Sequence, residues 1–318
     1  MELIVSALRI NGDDNLDIEL MAPDGAALPP YAPGAHIDLR TPSGMLRQYS
    51  LCGRAEEERR YLVCVRQDAT SRGGSRSLHR ELRVRDRVEV SQPRNLFPLP
   101  EAGRYILFSA GIGITPIMAM ARRLMAGGAD LEWHHYERSR ARVAFLDELT
   151  TPPFGAVVKL HLDEEGANIL AGTPDCLSAP DADAVVLACG PGPFLDLLAG
   201  RMAEAGWQDG QFHSERFQPL PLAVPEGTEA ASFEVRLASS GQSFAIGAEE
   251  SIASVLQRHG IAVDLSCEQG MCGACLTRVL EGTPDHRDIV LSAAEQEAGD
   301  QMTICCSRAK TPLLVLDL

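Results

Sequence analysis

Hydrophobic and polar positions change rhythm twice along this chain. Up to about residue 99 the apolar residues come in strand-length runs, at positions 3–5, 36–39, 61–65 and 87–90, separated by Gly, Pro and Asp turns. Short strands at that spacing predict a small antiparallel β-barrel. From residue 100 two kinds of segment alternate. Positions 105–109 form a continuous apolar run suited to a strand buried on both faces, and a helical stretch follows at 116–125. The strand signal returns at 131–136 and 184–188, with helical stretches at 145–149 and 194–205. That order predicts a doubly wound α/β sheet. Beyond residue 230, short strands at 233–237, 242–245 and 313–316 surround one helix at 251–259, with Gly260 placed to end it.

Two proline-rich breaks mark the joins. Pro93, Pro98 and Pro100 interrupt the segment from Ser91 to Pro100, where neither a helix nor a central strand can continue. Pro219, Pro221 and Pro225 give the segment from Gln218 to Thr228 the composition of a semi-rigid linker. The expected domains are 1–99, 100–218 and 230–318, with a linker at 219–229. A length of 318 residues suits two or three such cores.

No run approaches the roughly 18 apolar residues of a membrane span. The opening Met1-Glu2-Leu3-Ile4-Val5-Ser6 has no basic flank and reads as a first strand rather than an export signal, which makes the cytoplasm the expected compartment. A formal charge of −15 argues against nucleic acid as a partner, because that binding needs cations against phosphates. The excess is uneven: residues 1–99 hold 14 acids and 14 bases, whereas residues 230–318 hold 12 acids and 6 bases. The last segment therefore either steers toward a basic partner surface or is simply kept soluble by its acidity.

The strongest chemical signal lies in that segment. Of nine cysteines, Cys267, Cys272 and Cys275 stand at C-x4-C-x2-C, and Cys305 follows 30 residues later. This is the plant-type ferredoxin spacing, which supplies four thiolates to a [2Fe–2S] cluster. A loop wrapped around an anionic cluster must turn sharply and aim N–H groups at sulfur, which Gly270, Gly273 and Ala274 permit. Structural zinc sites prefer C-x2-C pairs in both halves, and only one occurs here. Cys306 adjoins Cys305, so spacing leaves open which of the two is the fourth ligand.

Ser109-Ala110-Gly111-Ile112-Gly113-Ile114-Thr115-Pro116 joins an apolar strand to a helix. Glycines there let a backbone approach a pyrophosphate at the positive end of a helix, and Pro116 is tolerated in the first turn. Cys189-Gly190-Pro191 follows another strand and reaches the same carboxyl edge of the sheet, as does Arg138-Ser139 after a third. Ligands of open α/β sheets bind at that edge. The three together predict nicotinamide binding. Cys189 reads either as a residue positioning the reactants or as a buried core thiol.

The barrel segment carries Arg47-Gln48-Tyr49-Ser50 and Ser71-Arg72-Gly73-Gly74-Ser75. An arginine can clamp a phosphate while a tyrosine covers a ring system, and the second motif offers N–H groups, a hydroxyl and a guanidinium. A nicotinamide delivers two electrons as hydride whereas a [2Fe–2S] cluster accepts one, so a flavin is needed between them. Ser50, with Cys189, is the candidate for positioning reactants; hydride transfer needs no general base.

Taken together, Arg47–Ser50, Gly73–Ser75, the loop from Gly111 to Pro116, Cys189–Pro191, Glu215-Arg216-Phe217 and the cysteines resemble the phthalate dioxygenase reductase family over the whole length. The resemblance implies an FMN-binding antiparallel barrel, an NAD-binding α/β domain and a C-terminal β-grasp ferredoxin domain of α+β type. It implies FMN, since relatives with the iron–sulfur domain at this end use FMN, and NADH as donor, although Arg138-Ser139 can accept a 2′-phosphate. Arg47, Tyr49 and Ser50 would hold the isoalloxazine, Gly73, Gly74 and Ser75 the phosphate, Thr115 would lie between flavin and nicotinamide, and Phe217 would cover the flavin. Cys305 becomes the fourth cluster ligand through its Cys-x-Ser-Arg surroundings. Ala110 departs from the glycine common in relatives. The implied acceptor is a Rieske-type terminal oxygenase, with a cytochrome P450 as the alternative, and the implied state is a monomer. A ferredoxin-like carrier that never turns over NADH is the reading from another class.

Overall fold

The computed structural model describes residues 1–67, 73–217, 232–266, 268, 270, 273–288 and 290–318. Arg72, Cys267, Cys272 and the expected linker at 219–229 lie outside the described residues. The chain divides into two compact units, Met1–Phe217 and Gln218–Leu318. Among the described residues no helix is long and apolar enough to cross a membrane.

The first unit opens with β1 (Glu2–Ile10), β2 (Asn15–Met21), β3 (Ala35–Arg40), β4 (Leu46–Ser50) and β5 (Tyr61–Arg66). Helix α1 (Gly74–Glu81) follows, then β6 (Arg87–Glu89) and β7 (Arg94–Asn95). They form two antiparallel sheets, ordered β5-β2-β1-β6 and β4-β3-β7, stitched together by bridges Leu39–Val90 and Leu51–Val63. Alternate side chains turn inward, so Val5, Ile18, Leu20, Ile37, Leu39 and Val63 fill the barrel and are essentially unexposed. Each such residue contributes about 1.5–3 kcal/mol by leaving water.

The rest of the unit is β8 (Arg104–Ala110), α2 (Ile114–Ala126), β9 (Asp130–Glu137), α3 (Leu146–Thr150), β10 (Val158–Leu162), β11 (Ala184–Cys189), α4 (Gly192–Ala205) and β12 (Phe212–Glu215). All five strands are parallel, in the order β10-β9-β8-β11-β12. The chain first winds outward from β8 through β9 to β10, then returns to β11 on the other side. β8 is therefore a central strand with both faces covered, which explains its unbroken apolar run. Leu107 packs toward α2 with Trp133 and Ile117, while Ile106 and Phe108 pack toward α4 with Leu195 and Leu198. The α2 core also takes in Cys52, Cys64 and Phe97 from the barrel side.

In the second unit β13 (Phe233–Leu237), β14 (Ser243–Ile246), α5 (Ile252–Arg258), β15 (Leu276–Glu281), β16 (Pro284–Asp285), α6 (Ala293–Ala298), β17 (Gln301–Thr303), β18 (Arg308–Ala309) and β19 (Leu313–Leu316) occur in that order. The main sheet runs β14-β13-β19-β15-β17, with β13 and β19 parallel and the other pairs antiparallel. This is the β-grasp arrangement. Ser251 caps α5 by accepting from the Ser254 N–H at 3.1 Å, and the helix buries Ile252, Ala253, Val255 and Leu256 on the sheet. Gly260, at φ 78°, ends it.

Candidate functional site

The strand order puts a switch point between β8 and β11, where the crossovers leave in opposite directions. The loops leaving the two strands meet there. A Cβ added at Gly113 would stand 2.8 Å from the Gly190 nitrogen and closer still to the Cys189 carbonyl. No side chain fits between them, which is why the glycine is needed. Gly111 (φ 57°) lies against Arg66 of the barrel, whose Nη1 would be 2.7 Å from a Cβ at that position. The first turn of α2 has no side-chain cap; the Ile114 N–H donates to the Gly111 and Ile112 carbonyls of the 3-10 turn before it, and Pro116 has no N–H to offer. Thr115 is buried and donates to the Ile112 carbonyl at 3.0 Å, and Pro116 sits in the same turn. Pro191 caps α4 at the adjoining edge.

Glu137 ends β9 and Arg138 follows it. Glu137 is buried and ion-paired with Arg66, while Arg138 is exposed and Ser139 half-buried. The carboxylate that doubly wound dinucleotide sites commonly turn toward a ribose is thus committed to a barrel arginine, and the cation beside it faces out. Cys189 is wholly enclosed, and burial pushes its thiol well above the ordinary value. What it presents to the crevice is its carbonyl.

Glu215, which belongs to the Glu215-Arg216-Phe217 motif but had no role assigned to it there, pairs with Cys189 in the sheet register and joins this edge. Its Oε2 is buried with no hydrogen-bond partner among the described residues, and burial pushes its carboxyl up to about 8. Folded protein therefore binds this proton more tightly than unfolded protein does. The resulting stabilisation is whole below the ordinary value of 4.5 and is lost as pH rises through about 8. Glu215→Gln should abolish that loss: thermal midpoints of the parent fall relative to the variant between about pH 5 and pH 9. Parallel profiles would show that the carboxyl is already ionised when buried.

On the barrel, β4 pairs with β3 so that Ser50 lies opposite His36, Gln48 opposite Asp38, Tyr49 opposite Ile37 and Arg47 opposite Leu39. Directly opposed residues share a face, so the four motif residues divide between two. Arg47 and Tyr49 share one, Tyr49 packing against the barrel core. Ser50 and Gln48 share the other with His36 and Asp38 of β3, and Arg94 of β7 lies opposite His36. Gln48 Nε2, His36 Nε2 and Arg94 Nε are buried there without partners among the described residues. Buried donors left that way signal a bound group, and three together fit the polar edge of a flavin. Burial, ahead of the neighbouring Arg94 cation, lowers the His36 imidazole to about 4, which keeps it neutral.

The second flavin motif forms the start of α1. Gly73 (φ 121°) is its N-cap, with no side-chain cap, and Gly74 and Ser75 fill its first turn. The Arg47 side chain crosses directly over Gly74, its Nε 3.2 Å from where a Cβ would be. A guanidinium beside an uncapped helix N-terminus suits a phosphate. Phe217, at the end of the unit, is 39% exposed.

In the second unit β15 and β17 pair with Leu276 opposite Thr303, which brings the residues just outside the pair together. Cys275 and Cys305 are both buried, their thiols within hydrogen-bonding reach of each other. Cys306 also lies within hydrogen-bonding reach of Cys305, and faces Thr303 Oγ1 at 3.2 Å and Ser307 Oγ at 3.9 Å. Gly270 (φ 72°) passes so near Asp288 that a Cβ would lie 2.9 Å from its Cα. Glu268 (φ 59°) and Gly273 (φ 70°) also adopt left-handed backbone, the winding a cluster loop needs. The described residues fit the cluster.

Residues 235–310 match the family model for the 2Fe-2S iron-sulfur cluster binding domain. Over 321 residues the chain is 45% identical to the vanillate O-demethylase oxidoreductase of Pseudomonas putida, covering 100% of each. It also superposes, with a TM-score of 0.74 and 38% identity, on a solved phthalate dioxygenase reductase, covering 100% of this chain and 98% of that one. The chain belongs to the phthalate dioxygenase reductase family. It is an oxidoreductase. The solved family member is described as a modular structure for electron transfer from pyridine nucleotides to [2Fe-2S]. An intact type IV self-sufficient cytochrome P450 monooxygenase carries a region of the same kind, at TM-score 0.81 and 38% identity, covering 100% of this chain and 41% of that one.

Proposed function

We propose that this chain is the reductase component of a multi-component oxygenase, taking electrons from NADH through FMN to a plant-type [2Fe–2S] cluster and passing them to a separate Rieske-type terminal oxygenase. One observation carries the reading. The loops after β8 and β11 close on each other at Gly113 and Cys189, and Gly111 of the first loop lies against the barrel arginine Arg66, so a nucleotide crevice and a flavin-type barrel share one unit. The reading assigns FMN to residues 1–99, NADH to 100–218, a linker to 219–229 and the cluster to 230–318.

The chain's own residues bind and orient. Arg47 and the first turn of α1 at Gly73, Gly74 and Ser75, with Arg72, hold the FMN phosphate. Gln48, Tyr49 and Ser50 line its ring system and Phe217 covers it. Gly111, Gly113, Thr115, Pro116, Gly190 and Pro191 receive the dinucleotide, and Arg138 and Ser139 its adenosine end. Ser50 and Cys189 position the reactants. When bound, FMN takes the two electrons of a hydride together and releases them singly, as a one-electron cluster requires. Cys267, Cys272, Cys275 and Cys305 hold that cluster. The same reading takes the protein to be a monomer working in the cytoplasm.

Stopped-flow mixing with NADH tests the sequence of events. Flavin absorbance bleaches first and cluster absorbance second; the reverse order overturns the scheme. The cytochrome P450 likeness supports a haem monooxygenase as the second reading of the acceptor. Turnover reconstituted with a Rieske oxygenase and not with a P450 separates the two.

A further inference from the structure

The β10–β11 connection, residues 163–183, is the weakest-built crossover of the α/β sheet. It holds only three single 3-10 turns, and Leu177 is its one buried residue. Elsewhere in such folds an amphipathic helix seals the crossover to the sheet. Here the turn Asp175–Leu177 instead sets Cys176 over strand β9, where Glu132 and His134 point to the same face.

The three side chains converge. His134 Nε2 lies 3.0 Å from Glu132 Oε1 and 3.4 Å from Cys176 Sγ, and the three ligand atoms all fall within 4.8 Å of one another. Bond lengths of about 2.0 Å to nitrogen and oxygen and about 2.3 Å to sulfur put neighbouring ligands of a tetrahedral zinc about 3.3–3.6 Å apart. The supporting contacts also match. His134 Nδ1 is 2.9 Å from His161 Nε2, so a proton donated there leaves Nε2 with its lone pair toward Cys176 and Glu132. His161 is itself gripped by ring stacking, 5.1 Å from His134 and 4.3 Å from Tyr136. Arg104 holds the other oxygen of Glu132 at 3.1 Å, fixing the carboxylate. Lys159, whose side chain is 59% exposed, now pairs with Oε1 and can swing into solvent.

We propose that Glu132, His134 and Cys176 bind a divalent cation of the zinc class, with water as a fourth ligand, and so staple the β10–β11 connection to the sheet. Carboxylate, imidazole and thiolate in one set select zinc over magnesium or calcium. The site lies outside the flavin, nicotinamide and cluster machinery, so its loss leaves NADH oxidation with ferricyanide unchanged.

The test uses full-length holoprotein, stripped with EDTA, desalted and dialysed to equilibrium against zinc sulfate. The parent is expected to retain a single zinc beyond its iron, with an X-ray absorption edge showing one sulfur and otherwise nitrogen or oxygen neighbours. Cys176→Ser and His134→Phe, the latter keeping the ring stack, should hold zinc at least about tenfold more weakly, and His161→Phe about tenfold more weakly. Iron, sulfide and ferricyanide turnover should match the parent in all three. Zinc retained equally by parent and Cys176→Ser overturns the proposal. So does a four-sulfur edge, which would mean zinc in the cluster cysteines, or no retained zinc at all.

Discussion

Cys305→Ala is expected to yield protein with about a tenth or less of the parent's iron and acid-labile sulfide, because three thiolates do not retain a [2Fe–2S] cluster. Cytochrome c reduction should fall by about 100-fold or more, equivalent to about 2.7 kcal/mol of barrier, while flavin bleaching by NADH stays within about threefold of the parent. Cys306→Ala is the decisive companion, since the two residues are adjacent and equally plausible by spacing. The Cys305 thiol reaches Cys275 as well as its neighbour Cys306, whereas the contacts of Cys306 are with Cys305, Thr303 and Ser307. Cys306→Ala should therefore keep its brown colour and its iron. Loss of iron in the Cys306 variant alone would reverse the assignment. The readout is iron and sulfide content together with the visible spectrum, measured on protein handled anaerobically.

Gly113→Ala is expected to cost about 100-fold in kcat/KM for NADH, the penalty that displacing a binding loop by about an ångström can carry. A methyl there meets the Cys189 carbonyl and the Gly190 nitrogen, both backbone, so no side chain can rotate out of the way. The loops after β8 and β11 must part, and overpacking of this kind destabilises by about 1–3 kcal/mol. The flavin should remain bound, because the contact lies outside the β3–β4–β7 face. Gly200→Ala is the control. It lies within α4 with nothing within 4 Å, and alanine there should stabilise by about 0.5–1 kcal/mol. Steady-state kinetics at varied NADH with thermal melts of both variants checks the pair; a Gly113→Ala enzyme with unaltered NADH kinetics would falsify the crevice.

Which elements were legible follows from their chemistry. The strands at 105–109, 131–136 and 184–188 and the helices near 116–125 and 194–205 announce themselves because both faces, or one broad stripe, are apolar. Strands β10 and β12 do not. Their sequences, Val158-Lys159-Leu160-His161-Leu162 and Phe212-His213-Ser214-Glu215, carry polar residues that a single-sequence reading gives to loops, and only pairing with β9 and β11 makes them strands. Helix α1 was hidden for a similar reason. Its eight residues include Arg76, His79 and Arg80, and only Gly74, Ser77 and Leu78 are buried, too few to mark an amphipathic stripe. The glycines read as a phosphate nest are in fact the uncapped start of that helix, which adds its dipole to the same chemistry.

Cysteine spacing, the Gly111–Pro116 loop and the two proline-rich joins belong to the chain as a string, because covalent order alone sets how far apart ligands and turns fall. From these came the cluster, the nicotinamide and, by electron count, the flavin between them. Contacts between residues distant in that order answer to packing instead. Glu215 acquires its raised carboxyl beside Cys189, Glu137 is claimed by Arg66, and His36 and Arg94 join Ser50 and Gln48, only once strands pair and water is excluded. Burial and sheet register create those properties, and neither exists before the chain folds.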